Sequence, residues 1–147
     1  MTEKNPNERE SILIRMESRS QNESFARAAA GAFMARMDPT VEETEDVKTA
    51  VSEAVSNAII HAYPEEIGEI QMEFFREDKN LRIEITDYGR GIEDVRRARQ
   101  PLYTTCPGKD RSGMGFYFME AFMAQVEVES EPGQGTKVIM TKIIGRR

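Results

Sequence analysis

Three groups of residues in this chain could do chemistry. The stretch "SEAVSNAIIH" places Glu53, Asn57 and His61 at i, i+4 and i+8, a spacing that stacks side chains along one line of a helix. A glutamate there can orient or deprotonate an attacking hydroxyl or water. An asparagine can offer an oxygen to Mg²⁺, a hard ion that keeps most of its waters and also takes phosphate oxygens. The same pattern also fits a solvated helix edge. His61 reads as structural, close to the helix end where a cation is favoured. With a single histidine and a single, distant cysteine, Cys106, the chain lacks the residues for a zinc site of those ligands.

The second group is "ITDYGRGI", which puts Asp87 at the end of an alternating apolar run. A carboxylate there can accept a hydrogen bond from an exocyclic amine such as that of adenine. Gly89 and Gly91 let a flat ligand approach the backbone, and Ile92 could pack on its ring. A plain turn is the alternative, since Asp and Gly are turn residues. The spacing differs from the dinucleotide fingerprint, and no Gly-Lys-Ser/Thr of a P-loop is present. The third group is "RSGMGF", where Ser112 can cap a helix whose free amides suit phosphate. Arg111 and Lys109 add cationic donors, and Gly113 and Gly115 let the backbone close in. Met114 and Phe116 read as core or hinge residues. A flexible connector with a serine cap is the alternative.

These groups need elements to position them. Ile12, Ile14 and Met16 alternate as in a strand. A helix follows, with Phe25, Ala29, Ala32, Phe33 and Met37 on one face and Asp38-Pro39 at its end. Ser20 with Glu23, and Thr40 with Glu43, have the spacing of capping boxes. A long helix then turns Val47, Val51, Ala54, Val55, Ala58 and Ala62 toward the core and stops before Pro64. Two strands, with Ile70, Met72, Phe74 and with Leu81, Ile83, Ile85 alternating, flank the turn "EDKN". A short basic helix, "EDVRRAR", precedes an aperiodic stretch at about 100–112 that reads as a functional lid. Phe116, Met119 and Met123 mark a last helix, and Val126, Val128, Val138 and Met140 a final strand pair. The expected architecture is α+β: a two-layer α/β sandwich with a mixed, mostly antiparallel sheet and helices on one face.

The 147 residues have the size of one compact domain, here expected over 1–147 with a flexible N-terminus at about 1–9. The 26 acidic against 20 basic residues give a net charge of −6, which argues against nucleic acid as a direct partner. No apolar run approaches the roughly 18 residues of a membrane span, no signal peptide is evident, and one cysteine fits a reducing, cytoplasmic setting.

Glu-x-x-x-Asn on a helix, Asp-x-Gly-x-Gly after a strand, Gly-x-Gly opening a late helix and a late "GQGT" stand in the order of the N, G1 and G2 boxes of the ATPase superfamily of gyrase, Hsp90, histidine kinases and MutL. This resemblance covers nearly all the chain from Ser20 on. More closely, "SQNESFAR", "DPT", "VSEAVSNAIIH", "RARQPLYTT" and "RSGMGF" resemble the anti-sigma F factors of spore-forming bacteria. The resemblance implies an ATP-dependent serine protein kinase that, as an ATP-bound homodimer, holds the sporulation sigma factor F. It also implies phosphorylation of a serine of the anti-anti-sigma factor, stage II sporulation protein AA. Glu53 would be the catalytic base, Asn57 the Mg²⁺ ligand and Asp87 the adenine partner, with Gly89, Gly91 and Ile92 shaping the pocket. Thr104, Thr105, Arg111, Ser112, Gly113, Met114, Gly115 and Phe116 would form the phosphate wall, and Thr136 would support Asp87. Arg27 would face the partner and nucleotide. Ala62 stands where the family usually has Gly, Tyr88 where Glu is common, and Cys106 where Lys is typical. A stress-response anti-sigma kinase, or a nucleotide-switched sigma-binding module without transfer, are the alternatives. The homodimer also draws on the apolar Ile12, Ile14, Phe25 and Phe33, which a small sheet would leave partly uncovered.

Overall fold

A computed structural model describes residues 9–92 and 115–145. Five strands form one sheet in the order β1-β2-β3-β5-β4: β1 (Arg9–Glu17), β2 (Glu69–Glu77), β3 (Asn80–Asp87), β4 (Gln125–Glu131) and β5 (Gly135–Ile143). All four pairings are antiparallel. Three helices, α1 (Asn22–Met34), α2 (Val41–Asn57) and α3 (Gly115–Phe122), join the sheet in one core. The basic helix expected at 93–99 and the lid expected at 100–112 lie outside the described residues. No helix among the described residues is long and apolar enough to cross a membrane.

Alternation in the strands places the core. Ile70, Met72 and Phe74 of β2, Leu81, Ile83 and Ile85 of β3, and Val138 and Met140 of β5 are all buried, as period-two patterning requires when one face is covered. Ile14 and Met16 of β1 pack on the same cluster. The β2–β3 turn is tighter than "EDKN": Glu77 pairs with Asn80, so Asp78 and Lys79 alone make it, and Asp78 takes φ 56°. Asp tolerates that left-handed geometry better than most residues.

The two helices after β1 differ from expectation in one case and match it in the other. In α1 the buried residues are Ala26, Ala30, Phe33, Met34 and Met37 at its 3₁₀ end (Ala35–Met37). Phe25 is 53% exposed and Ala32 is exposed, so the expected face is rotated. Phe33 lies in the core, its ring stacked on Phe74 with centroids 5.3 Å apart. It is therefore no part of an uncovered surface, whereas Ile12, at 39% exposure, is. The capping box expected at Ser20 does not form. Gln21 is the N-cap, with no side-chain bond, and the Glu23 carboxylate binds serines of α2 instead.

In α2 the box does form: Glu43 N–H donates to Thr40 Oγ1 at 3.0 Å, and Thr40 N–H donates to Glu43 Oε1 at 2.8 Å. Glu43 also accepts from Gly145 N–H at 3.2 Å, tying the end of the described chain to this helix start. Thr40→Ala is expected to cost about 1 kcal/mol and to lower the melting temperature by roughly 3 °C, read by calorimetry without ligand. An unchanged melting temperature would mean that the cap is redundant with packing.

Past Asn57, α2 widens into one π turn, Ala58–Ala62. Single π turns inside α-helices are frequent at functional sites, and this one ends beside the glycines that follow β3.

Candidate functional site

Asp87 continues the buried series Leu81, Ile83, Ile85 of β3, and for that reason a carboxylate points into the covered side of the sheet. It is 7% exposed. The strand register builds a row across the sheet end: Asp87 pairs with Ile70 on one side and Thr136 on the other, and Thr136 pairs with Ser130. Gly89 N–H donates to Asp87 Oδ1 at 3.0 Å and Thr136 N–H donates to the same oxygen at 3.2 Å. Both bonds land on Oδ1, which leaves Oδ2 as the acceptor for a ligand. Burial raises the Asp87 carboxyl above its ordinary range, and the two backbone N–H groups only partly oppose that.

The same row holds the next loop. Ser130 Oγ accepts from Ile92 N–H at 2.8 Å, lies 2.8 Å from Thr136 Oγ1 and donates to the Gly135 carbonyl at 3.0 Å. Ile92 packs against the core. Gly91 has φ +74°, and a Cβ on it would meet the Glu131 carbonyl at 2.1 Å. Both the angle and the contact demand glycine. Gly91→Ala is therefore expected to destabilise by more than about 1 kcal/mol, seen as a lower urea midpoint. A wild-type midpoint would show that the loop re-forms elsewhere at no cost.

Gly89 belongs to the other wall. A Cβ on it would meet the Ala62 carbonyl at 2.4 Å, so the π turn of α2 abuts the β3 exit directly. Tyr63, the residue after that turn, fixes the junction. Its hydroxyl donates to the Glu69 carbonyl and accepts from Tyr88 N–H, both at 2.7 Å. Tyr88 itself is about half exposed, its ring pointing outward from this anchored backbone.

Back along α2 from Ala62, Asn57 and Glu53 are half-buried, separated by one turn, or about 6 Å. No hydrogen bond joins the Asn57 amide to another described residue, so its oxygen is available. Among the described residues no three His, Cys, Asp or Glu side chains gather into a metal site. A divalent ion at Asn57 would therefore complete its shell with phosphate oxygens and water, which suits Mg²⁺. The donor set fits that ion, and the bare Oδ2 of Asp87 above a glycine-walled gap fits a planar amine donor.

The structure thus brings Asp87, Gly89, Gly91, Ile92 and Thr136 together at one sheet end and points the Glu53–Asn57 line toward them. Phe116 is buried in the core cluster, so its expected place in a phosphate wall is corrected to packing beneath it. Gly115 is the first residue of α3. Thr104, Thr105, Arg111, Ser112, Gly113 and Met114 lie outside the described residues. Arg27 is exposed on α1. Sequence reading missed Ser130, Tyr63 and Glu23. Ser130 could have been found from its register opposite Thr136, but that register needs the β4–β5 turn length to be known.

Comparison with known proteins places this geometry. Residues 16–142 match the model of the histidine kinase-like ATPase domain family. An anti-sigma F factor of Caldanaerobacter subterraneus subsp. tengcongensis is 58% identical over 129 residues, 88% of this chain and 90% of that protein. An anti-sigma F factor of Clostridium acetobutylicum is 53% identical over 125 residues, 85% of this chain and 87% of that one. The crystal structure of the RsbU and RsbW domains of a Mycobacterium tuberculosis protein shares the fold with a TM-score of 0.65 at 20% identity, over 92% of this chain and 32% of that one. The catalytic domain of the histidine kinase ThkA shares it at 0.55 and 15% identity, over 90% of this chain and 96% of that one.

Proposed function

The chain belongs to the anti-sigma F factor family, within the histidine kinase-like ATPases, and from that premise we propose an ATP- and Mg²⁺-dependent serine kinase that also sequesters a sigma factor. The observation that carries the nucleotide half is Asp87, a buried carboxylate with one oxygen saturated by backbone N–H groups and the other left for the adenine amine. The phosphates then extend along α2. Asn57 holds Mg²⁺, which neutralises charge on the transferring group. Glu53, one turn on, accepts the proton of the attacking serine. Phosphoryl transfer asks the protein mainly for alignment and electrostatic stabilisation, and a base on a rigid helix supplies both. The phosphate-binding residues proposed from the lid are Thr104, Thr105, Arg111, Ser112, Gly113 and Met114.

The names of the similar relatives support a sigma factor as partner, proposed to be the sporulation sigma factor F, with the serine of an anti-anti-sigma factor as substrate. Arg27, exposed on α1, is proposed as a partner contact. A homodimer is supported by edge strand β1, which exposes Ile12 and Leu13, and by Phe25 on the adjoining helix. The test is incubation with Mg-ATP and the candidate anti-anti-sigma factor. Phosphoserine on that partner is expected. ATP binding with sigma capture but no phosphoserine would reduce the protein to a nucleotide-switched binding module.

A further inference from the structure

α1 and α2 pack through small side chains, with Ala26 and Ala30 buried in one and Ala50 and Ala54 in the other. Such contacts are non-directional and leave the roll of a helix about its axis weakly defined. A polar clamp crosses this interface. Ser52 Oγ donates to Glu23 Oε1 at 2.6 Å and Ser56 Oγ donates to Glu23 Oε2 at 3.1 Å. One carboxylate from α1 therefore grips two successive turns of α2. Ser52 and Ser56 each directly precede a member of the functional pair, Glu53 and Asn57. On a helix the serine stripe lies next to the Glu53–Asn57 stripe, so rolling that pair out of the cleft must break both bonds. A single bond would act as a hinge; two bonds to points about 6 Å apart along the axis restrain roll and slide together. The bonds are charge-assisted and partly buried, which strengthens them.

We propose that Glu23 is a positioning residue: by bridging Ser52 and Ser56 it sets the rotation of α2 that aims Glu53 at the substrate hydroxyl and Asn57 at the metal. The proposal rests on the kinase reading of the site. Ser52 gives it a clean test, because at 7% exposure this side chain cannot contact a partner protein. Ser52→Ala, Glu23→Ala, the double variant and Glu23→Gln are compared in the full chain. Three quantities are read: the rate of transfer to the partner serine, the Mg²⁺ concentration that half-saturates nucleotide binding, and ATP affinity in EDTA.

In Ser52→Ala and Glu23→Ala, transfer is expected to fall about 10- to 100-fold, and the Mg²⁺ requirement to rise about tenfold, the scale on which groups that orient ligands and catalytic side chains act. ATP affinity in EDTA stays within about twofold, because the Asp87 wall is untouched. The double variant loses no more than the worse single one, since both remove the same bond. Glu23→Gln recovers most of the rate: its amide oxygen accepts from one serine while its NH₂ donates to the other. Unchanged transfer and Mg²⁺ requirement would overturn the proposal, and so would losses that track EDTA affinity and melting temperature, which signal general loosening. Ser56→Ala serves as the second variant if Ser52→Ala does not fold. If the wild type transfers no phosphate, the kinase reading falls, and the Mg²⁺ shift alone decides for or against the clamp.

Discussion

Asp87→Asn is expected to weaken ATP binding by at least about 100-fold, or about 2.8 kcal/mol, while leaving the fold intact. The two backbone donors from Gly89 and Thr136 hold an oxygen at the Oδ1 position. An asparagine satisfies them with its carbonyl oxygen and must then place its NH₂ where Oδ2 was. A donor there faces the amine donors of adenine, and a site that presents the wrong polarity to a buried partner discriminates strongly. Isothermal titration with ATP and a thermal melt of the free protein check both halves. Wild-type affinity in the variant would remove Asp87 from adenine recognition.

The pH dependence follows from the same carboxyl. Burial holds it above the ordinary carboxylate range, so its contribution to stability is complete below that range and is lost as pH rises through the elevated folded value. The neutral variant escapes that loss, and its free-state melting temperature at neutral pH is expected to equal or exceed the wild type's. Acid has the opposite effect on binding. A proton on Asp87 settles on Oδ2, since Oδ1 faces two N–H groups, and it blocks the acceptor. Wild-type ATP affinity should therefore drop as pH falls through the elevated value, and the affinity of Asp87→Asn should show no such component.

Glu53→Ala is expected to reduce phosphoserine formation about 10²- to 10⁴-fold, the usual worth of a general base, with ATP affinity within about twofold. Glu53→Gln separates basicity from position, because it keeps length and hydrogen bonding but takes up no proton from the serine. Both variants should fail alike in single-turnover transfer at saturating Mg-ATP. A Gln variant as fast as wild type would assign Glu53 to orientation alone, and an Ala variant as fast as wild type would remove it from the reaction.

The parts of this molecule that were legible in its sequence are those governed by short-range periodicity. Asp87 follows three alternating apolar residues and precedes two glycines, so a strand end with an inward carboxylate is written in eleven consecutive positions. Glu53 and Asn57 need only helical spacing. Thr40 and Glu43 form their cap because both partners sit within one turn. Where tertiary partners compete, the local pattern misleads. Glu23 has the spacing of a cap residue but its oxygens are taken by serines 29 and 33 positions away. The face of α1 was misassigned because alanines at 26, 28, 29, 30 and 32 make the apolar pattern nearly cylindrical. Phe25 then draws the eye to the wrong side, and only the fit of Phe33 on Phe74 decides the phase.

The π turn at Ala58–Ala62 has a consequence for chain length. A π turn accommodates one more residue than the α turn it replaces, so this segment holds an insertion in its backbone pitch. Deleting Ile59 or Ile60 would let α2 close into a regular helix, well formed in itself. It would also turn everything beyond by roughly 100°, carrying Ala62 away from Gly89 and Tyr63 away from Tyr88. Many substitutions on the exposed side of α2 can be absorbed locally, whereas a single-codon deletion here would disconnect the helix that bears Glu53 and Asn57 from the strand that bears Asp87.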